Sequence, residues 1–294
     1  GGVLIGTSAT TSYTVTGLNA STAYSFTVKA KDASNKLSDE SNTLIVTTSA
    51  QPNFSITYSE GGGSSPTVSN TDLLQTNATL TASSGNFLRE SEGDAASLTN
   101  GSSSLSSSER AGIESGSSLT YTFSGSTTGY SISKIDIYST WGDDGRLKPN
   151  VTVSYSLISN PGVFIPIATA TFNPTIQYAP VGIWTKSSFS LTEYDGIEAL
   201  KFDFPNQQNG WVGYNEIDVT GIPSPIQIST NTNVSSLTLT STTSIMVQND
   251  VELTIDENTT IKDIQVKPNG KLSITGNNTI STTDGITLQS DNTG

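Results

Sequence analysis

Apolar and polar residues alternate over runs of five to eight positions along almost the whole chain, and no stretch keeps a helical period for three turns. That pattern predicts an all-β protein. Pro and Gly-Ser clusters near residues 50–52 and 222–225 divide it into three textures, expected as domains over 1–49, 53–221 and 226–294. In the first, strands are predicted at 12–15, 23–30 and 43–48; Tyr24, Phe26 and Val28 share one face, with Ser25, Thr27 and Lys29 on the other. In the second, which holds all three Trp, strands are predicted at 118–123, 133–139, 150–156, 164–170, 187–191, 199–204 and 214–219. About eight strands in about 170 residues suit a two-sheet jelly-roll sandwich. The third repeats an apolar-polar-apolar triplet at Leu237, Ile245, Leu253, Ile264, Leu272 and Ile286, separated by Asn, Asp, Gly and Thr turns. One triplet buries too little alone, so stacked rungs of a small β-solenoid are expected.

Three resemblances sharpen these expectations. The stretch from Val15 through Gly17-Leu18-Asn19-Ala20-Ser21-Thr22-Ala23-Tyr24 to Ala30 resembles the second half of a fibronectin type III domain. That resemblance implies that Tyr24 turns its hydroxyl onto the preceding loop while Leu18 plugs the core. The family's first half is absent or reduced to residues 1–5, which would leave an unpaired apolar sheet face. The run Ile135-Asp136-Ile137-Tyr138-Ser139-Thr140-Trp141-Gly142-Asp143-Asp144-Gly145-Arg146, then Val151-Thr152-Val153-Ser154-Tyr155-Ser156, resembles galactose-binding-like sandwiches of the discoidin or coagulation-factor C type. The closing Tyr214-Asn215-Glu216-Ile217-Asp218-Val219-Thr220-Gly221 matches that family's last strand, and Leu98-Thr99-Asn100-Gly101 stands where members carry a Leu-x-Asp-Gly turn. The rung Lys267-Pro268-Asn269-Gly270-Lys271-Leu272-Ser273-Ile274 is similar to repeats of secreted Bacteroidota surface proteins.

Composition removes whole classes of chemistry. The chain has 294 residues with no His and no Cys, so nucleophile systems built on His or Cys, thiol redox chemistry and nitrogen or sulfur metal sites are excluded. Any metal must be held by oxygen, which points to calcium or magnesium. Lys and Arg number 13 against 26 Asp and Glu, a net charge of -13 with no basic cluster, which argues against nucleic acid and anionic membrane as partners. No apolar run of about 18 residues exists to span a bilayer. Ser and Thr fill about 90 positions while charged residues make up only 13%, giving a neutral, hydroxyl-rich surface. The chain opens in mid-pattern at Gly1-Gly2-Val3 and is expected to be an excerpt of a longer secreted or cell-surface polypeptide.

Candidate chemistry concentrates in the Trp141-Gly142-Asp143-Asp144-Gly145-Arg146 loop. A flat aromatic beside a guanidinium and two carboxylates is what sugar recognition uses: the ring stacks on a pyranose, and the charged groups bond its hydroxyls. Trp211 and Trp184 would join such a site if they lie at the same end. The plainer alternative has Trp141 capping the core, Arg146 paired with Asp143 or Asp144, and Trp211 plugging an edge. The sandwich resemblance also implies a structural calcium tying the Asn100 turn to Glu216, with Asp94 as an alternative ligand. Otherwise Glu216 is solvated or pairs with Arg89 or Arg110. The carboxylates at Asp143-Asp144 and at Glu193, Asp195 and Glu198 fall in turn-like sequence, which argues against a glycosidase pair. The expected function is non-catalytic binding of a glycan or cell-surface polysaccharide, with no enzyme activity. The alternatives are spacer modules of an adhesin that contact other surface modules, and the accessory tail of a secreted hydrolase.

Overall fold

The computed structural model describes residues 2–13, 15, 18, 22–48, 53–88, 93–192 and 194–289. Its contacts divide the chain into two compact units between Asn53 and Phe54. The anticipated first boundary at residues 50–52 lies outside the described residues. No helix among the described residues is long and apolar enough to cross a membrane.

In the first unit β1 (Ala23–Phe26) and β2 (Leu44–Thr47) pair antiparallel, with Ala23 opposite Thr47 and Phe26 opposite Leu44. The Asp32 turn between them is held by its own carboxylate, whose Oδ1 accepts from Ser34 N and Lys36 N at 2.9 Å. No second layer covers this ribbon within the described unit, and Leu44, Ile45 and Val46 are 60%, 70% and 43% exposed. Leu18 is 36% exposed and does not fill a core, because a two-stranded ribbon has no core to fill. Most of the loop onto which Tyr24 was expected to turn lies outside the described residues.

The second unit begins with ten strands: β3 (Asn53–Gly62), β4 (Ala78–Ser84), β5 (Ala111–Glu114), β6 (Ser117–Phe123), β7 (Tyr130–Asp143), β8 (Asn150–Leu157), β9 (Asn160–Thr171), β10 (Tyr178–Thr192), β11 (Ile197–Phe204) and β12 (Trp211–Pro223). They form two layers, ordered β3-β10-β7-β12-β5 and β4-β6-β11-β8-β9, joined through the single pair Tyr130 and Ile197. The alternation read from the sequence is literal in β6, where Leu119, Tyr121 and Phe123 are buried and Ser118, Thr120 and Thr122 are not. Ile135, Ile137, Phe189, Ile217 and Val219 of the first layer share one buried cluster with Leu119, Val151, Val153, Leu200 and Phe202 of the second. Each fully buried side chain of this size stabilises the fold by about 1.5–3 kcal/mol.

One irregularity in β12 decides what the sandwich carries. Opposite β7, Tyr214 pairs with Ser139 but Glu216 pairs with Tyr138, so Asn215 is an extra residue, a β-bulge. The bulge lets Tyr214 and Ile217, an odd number of positions apart, both enter the core. Glu216 and Asp218 are thereby turned to the opposite face of the sheet. That face is covered by the segment leading into the short helix α1 (Leu73–Thr76), where Tyr138 Oη donates to Thr67 O at 3.0 Å and Ser69 N donates to Asp218 Oδ2 at 2.9 Å.

After Pro223 the chain coils. The strands β13 (Ile226–Ile228), β15 (Ser244–Val247), β17 (Thr259–Val266) and β19 (Ile280–Leu288) form one parallel sheet, and β14 (Thr232–Asn233), β16 (Glu252–Ile255) and β18 (Lys271–Ile274) a second. Ile245 lies beside Ile264 and Leu253 beside Leu272, so one coil advances 19 residues at these points. The predicted triplets are the rungs, alternating between the two sheets, and Ile245, Val247, Leu253, Ile255, Ile264 and Val266 fill the interior. Polar side chains link successive coils: Asn231 Oδ1 accepts from Glu252 N at 2.9 Å and Asn258 Oδ1 from Thr279 N at 2.9 Å. The triplet at Leu237 is not a strand. A 3-10 turn over Val234–Ser236 bends the chain there, although Leu237 and Leu239 still pack on the core.

Candidate functional site

Two features lie on the sandwich: a surface at one end of the layers and a buried carboxylate cluster on the outer face of β12. The end surface begins where β7 runs out. Asp143 caps a 3-10 turn over Asp144–Arg146, its Oδ1 accepting from Gly145 N at 2.8 Å. The loop ahead of β12 reaches across to this turn. Gln208 Nε2 donates to Asp144 O at 2.6 Å, Gln208 Oε1 accepts from Leu147 N and Lys148 N at 3.0 Å, and Asn209 Nδ2 donates to Gly145 O at 2.8 Å. Asn209 takes φ 52 to do so, a conformation its short polar side chain tolerates. The Trp141 and Trp211 loops therefore form one surface.

On that surface Asp143 and Asp144 are exposed, and Trp141, Arg146 and Trp211 are half-buried. Trp141 is outside the buried cluster, so it is not a core cap. The guanidinium of Arg110 lies 3.8 Å from the Trp141 ring centroid and that of Arg146 lies 5.5 Å away, an indole framed by two cations. The ring and Arg110 both rest on Gly213, where a Cβ would stand 2.7 Å from Trp141 Cε3 and 2.9 Å from Arg110 Cδ. No ion pair joins Arg146 to Asp143 or Asp144 among the described residues, and Arg146 Nε is buried without a hydrogen-bond partner. Trp184 stands opposite Thr140 on β10, and its Nε1 donates to Ser64 O at 3.0 Å, which fixes the chain leaving β3. Sequence reasoning assigned Arg110 only as a possible partner for Glu216; its place on Trp141 had no local signal.

The second feature is the cluster of Asp72, Glu216 and Asp218, with one carboxylate oxygen from each within 4.8 Å of the others. Glu216 is fully buried, and Asp72 and Asp218 are 7% and 6% exposed. Desolvation, followed by the charges of Asp218 and Asp72, pushes the Glu216 carboxyl up to about 9. Asp218 is raised to about 6, mainly by desolvation, and Asp72 is raised by the same cause. Asp72 Oδ2, Glu216 Oε1 and Asp218 Oδ1 have no hydrogen-bond partner, nor does Asn215 Oδ1 beside them in sequence. Glu216 also has no ion pair among the described residues; Arg110 is on Trp141, and Arg89 lies outside the described residues.

Asn100 is exposed, and its Oδ1 accepts from Ser102 N at 2.7 Å, bending the turn so that Gly101 N donates to Glu216 Oε2 at 2.9 Å. The turn and Glu216 thus meet, through the backbone of Gly101. Asp94 is exposed and caps its own 3-10 turn by accepting from Ala96 N. Sequence reasoning missed Asp72 and Asp218; the only trace of Asp72 is its position as a helix cap, where Oδ1 accepts from Leu74 N at 2.8 Å.

No family model matches the chain. Among curated proteins it is 58% identical over 48 residues to chitinase Chi52 of Paenibacillus xylanexedens, 16% of this chain and 9% of that protein. It is 54% identical over 52 residues to exoglucanase B of Cellulomonas fimi, 18% of this chain and 5% of that protein. It is 50% identical over 60 residues to an alpha-amylase of Niallia circulans, 20% of this chain and 5% of that protein. The chain therefore spans less than a tenth of the length of these relatives. Among solved structures it is similar to the family 32 CBM from C. perfringens NanJ in complex with galactose, with a TM-score of 0.35, 16% identity and coverage of 51% of this chain and 97% of that one. A second C. perfringens CBM32, in complex with GalNAc-beta-1,3-galactose, gives 0.38, 14%, 51% and 99%. The lectin domain of lectinolysin complexed with Lewis B antigen gives 0.33, 12%, 52% and 98%.

Proposed function

We propose that the sandwich is a non-catalytic carbohydrate-binding module of an extracellular protein. The observation that carries the reading is the joining of the Trp141 and Trp211 loops through Gln208 and Asn209, which sets two half-exposed indoles, two guanidinium groups and two exposed carboxylates on one rigid end of the layers. Arg110 occupies part of the Trp141 ring's surroundings at 3.8 Å, so in this reading Trp141 holds the guanidinium groups in place and Trp211 offers the stacking ring. Arg146, Asp143 and Asp144 then bond vicinal hydroxyls, for which a planar fork and a carboxylate are geometrically suited. The segment shared with chitinases, an exoglucanase and an alpha-amylase supports placing the chain in the accessory region of a secreted hydrolase. A glycan array or affinity electrophoresis is expected to retain the chain on galactose-containing glycans, and Arg146→Ala or Trp211→Ala to reduce retention by about tenfold. No retention, or retention indifferent to these changes and to Trp141→Ala, would overturn the reading.

The buried cluster is, in this reading, a structural calcium site. Three carboxylates with orphaned oxygens and no ion pair among the described residues are costly to bury, and a divalent ion with an all-oxygen donor set would offset that cost. Asp72, Glu216 and Asp218 would hold the ion, tying β12 to the α1 turn, while Gly101 orients Glu216.

A further inference from the structure

A cleft of about 380 Å³ opens beside the end surface, between the starts of β8 and the ends of β9 and β11. Its lining includes Lys148, Asn150, Phe172, Asn206, Gln207 and Gln208. From these residues the geometry points to a second saccharide subsite, for a sugar ring carrying a carboxylate, that continues the binding surface across Gln208. This rests on the carbohydrate-binding reading above and names a substrate class for it.

Four observations support the assignment. Phe172 is held flat against Tyr58, with centroids 4.9 Å apart and planes 5° from parallel, and Phe172 lines the cleft while Tyr58 does not. A ring fixed on one face and open toward a cleft is a stacking platform that loses little freedom when a pyranose settles on it. The wall is equally fixed. Gln207 Nε2 donates to Asn150 O at 2.6 Å and its Oε1 accepts from Tyr214 Oη at 2.8 Å, so its amide is spent on the scaffold.

Asn206 is exposed, and Lys148, half-buried, is the only charged residue among the described residues lining the cleft. Lys148 makes no ion pair among the described residues. Lys148 offers the cleft a cation for an anionic group, and a flat ring beside amides suits a sugar. Finally, Gln208 belongs to both places: its side chain ties the Asp144 turn, and its residue lines the cleft, so a chain of two or three sugar rings passes from one to the other without leaving the surface.

Calorimetric titration of the whole 294-residue chain with galactose, oligogalacturonides of increasing length and neutral galacto-oligosaccharides tests this. The trimeric galacturonide is expected to bind more tightly than its neutral counterpart. Lys148→Gln and Phe172→Ala should each weaken it by about tenfold, the loss of one charge-assisted bond or one stacking contact. Galactose binding should be unchanged in Lys148→Gln, which keeps the backbone N–H that donates to Gln208 Oε1, and melting curves verify that both variants fold. Galactose binding that responds to Arg146→Ala, together with no preference for galacturonide and no effect of Lys148→Gln or Phe172→Ala, overturns the second subsite and leaves the first reading standing. Failure of the wild-type chain to bind any of these sugars overturns both.

Discussion

Removing calcium is expected to lower the melting temperature of the sandwich by about 5–10 °C, since an ion at a hundred times its Kd contributes roughly 2.7 kcal/mol and each kcal/mol moves a domain of this size by about 2–4 °C. Asp72 sits on the turn that begins α1 while Glu216 and Asp218 sit on β12, so an ion held by the three would bridge segments distant in the chain. Glu216→Gln should abolish the shift and, in metal-free buffer at pH 8, melt at or above the wild type, because an amide cannot ionise beside Asp218 and Asp72 as the buried carboxyl begins to do. The pH dependence has a definite sign. Glu216 is raised from 4.5 to about 9 and Asp218 from 3.8 to about 6, so the folded protein holds protons that the unfolded chain has already lost. Stability of the metal-free protein therefore falls as pH rises through this window, and it should melt higher at pH 5 than at pH 8. Saturating calcium should remove that decline. A melting curve indifferent to metal at pH 8 would count against the site.

Tyr214→Ala is expected to have the largest effect of any single change on the sandwich. Tyr214 is fully buried, packs edge-on to Phe204 with centroids 5.0 Å apart, and its hydroxyl both donates to Gln207 Oε1 and accepts from Asn150 N at 3.3 Å. Loss of a buried aromatic side chain costs about 3–5 kcal/mol, a fall of roughly 6–20 °C in thermal melting. Tyr214→Phe isolates the hydroxyl: it keeps the ring and leaves Gln207 and Asn150 short of a partner, for about 1–2 kcal/mol. Because Gln207 also forms the cleft wall, Tyr214→Phe should weaken oligogalacturonide binding while leaving galactose binding in place. Equal melting of Tyr214→Phe and wild type would show that the hydroxyl's bonds contribute nothing.

The sandwich was most legible where strands bury one face. β6 alternates in sequence and in burial alike, and β8 and β11 do so over part of their length, broken where Ser154 and Ser156 are buried with Val153 and Tyr155 and where Ala199 is buried beside Leu200. The strands not anticipated are β3, β4 and β5. β3 alternates at Phe54, Ile56 and Tyr58 and β4 at Ala78, Leu80 and Ala82, but both are largely exposed and flanked by Gly- and Ser-rich sequence, and β5 is four residues long. The triplet at Leu237 kept the apolar spacing of a rung, but a 3-10 turn takes that stretch out of either sheet. For the site, the Trp141 loop and Glu216 could be named because a short contiguous motif carries them. Arg110, Asp72 and Asp218 could not, since each acquires its partners from strands or turns far along the chain.

The sequence by itself determined that this chain is built of strands, that its third part stacks in rungs, and that any metal must be bound by oxygen. Those follow from side-chain period and composition, which are local properties. Only the tertiary structure decided which loops share one end of the sandwich and which acids share one cavity. The Asn215 bulge shows why: one extra residue in β12 turns Glu216 and Asp218 away from the core and toward Asp72. Its presence depends on the pairing of β12 with β7, a fact about two strands that neither strand states alone.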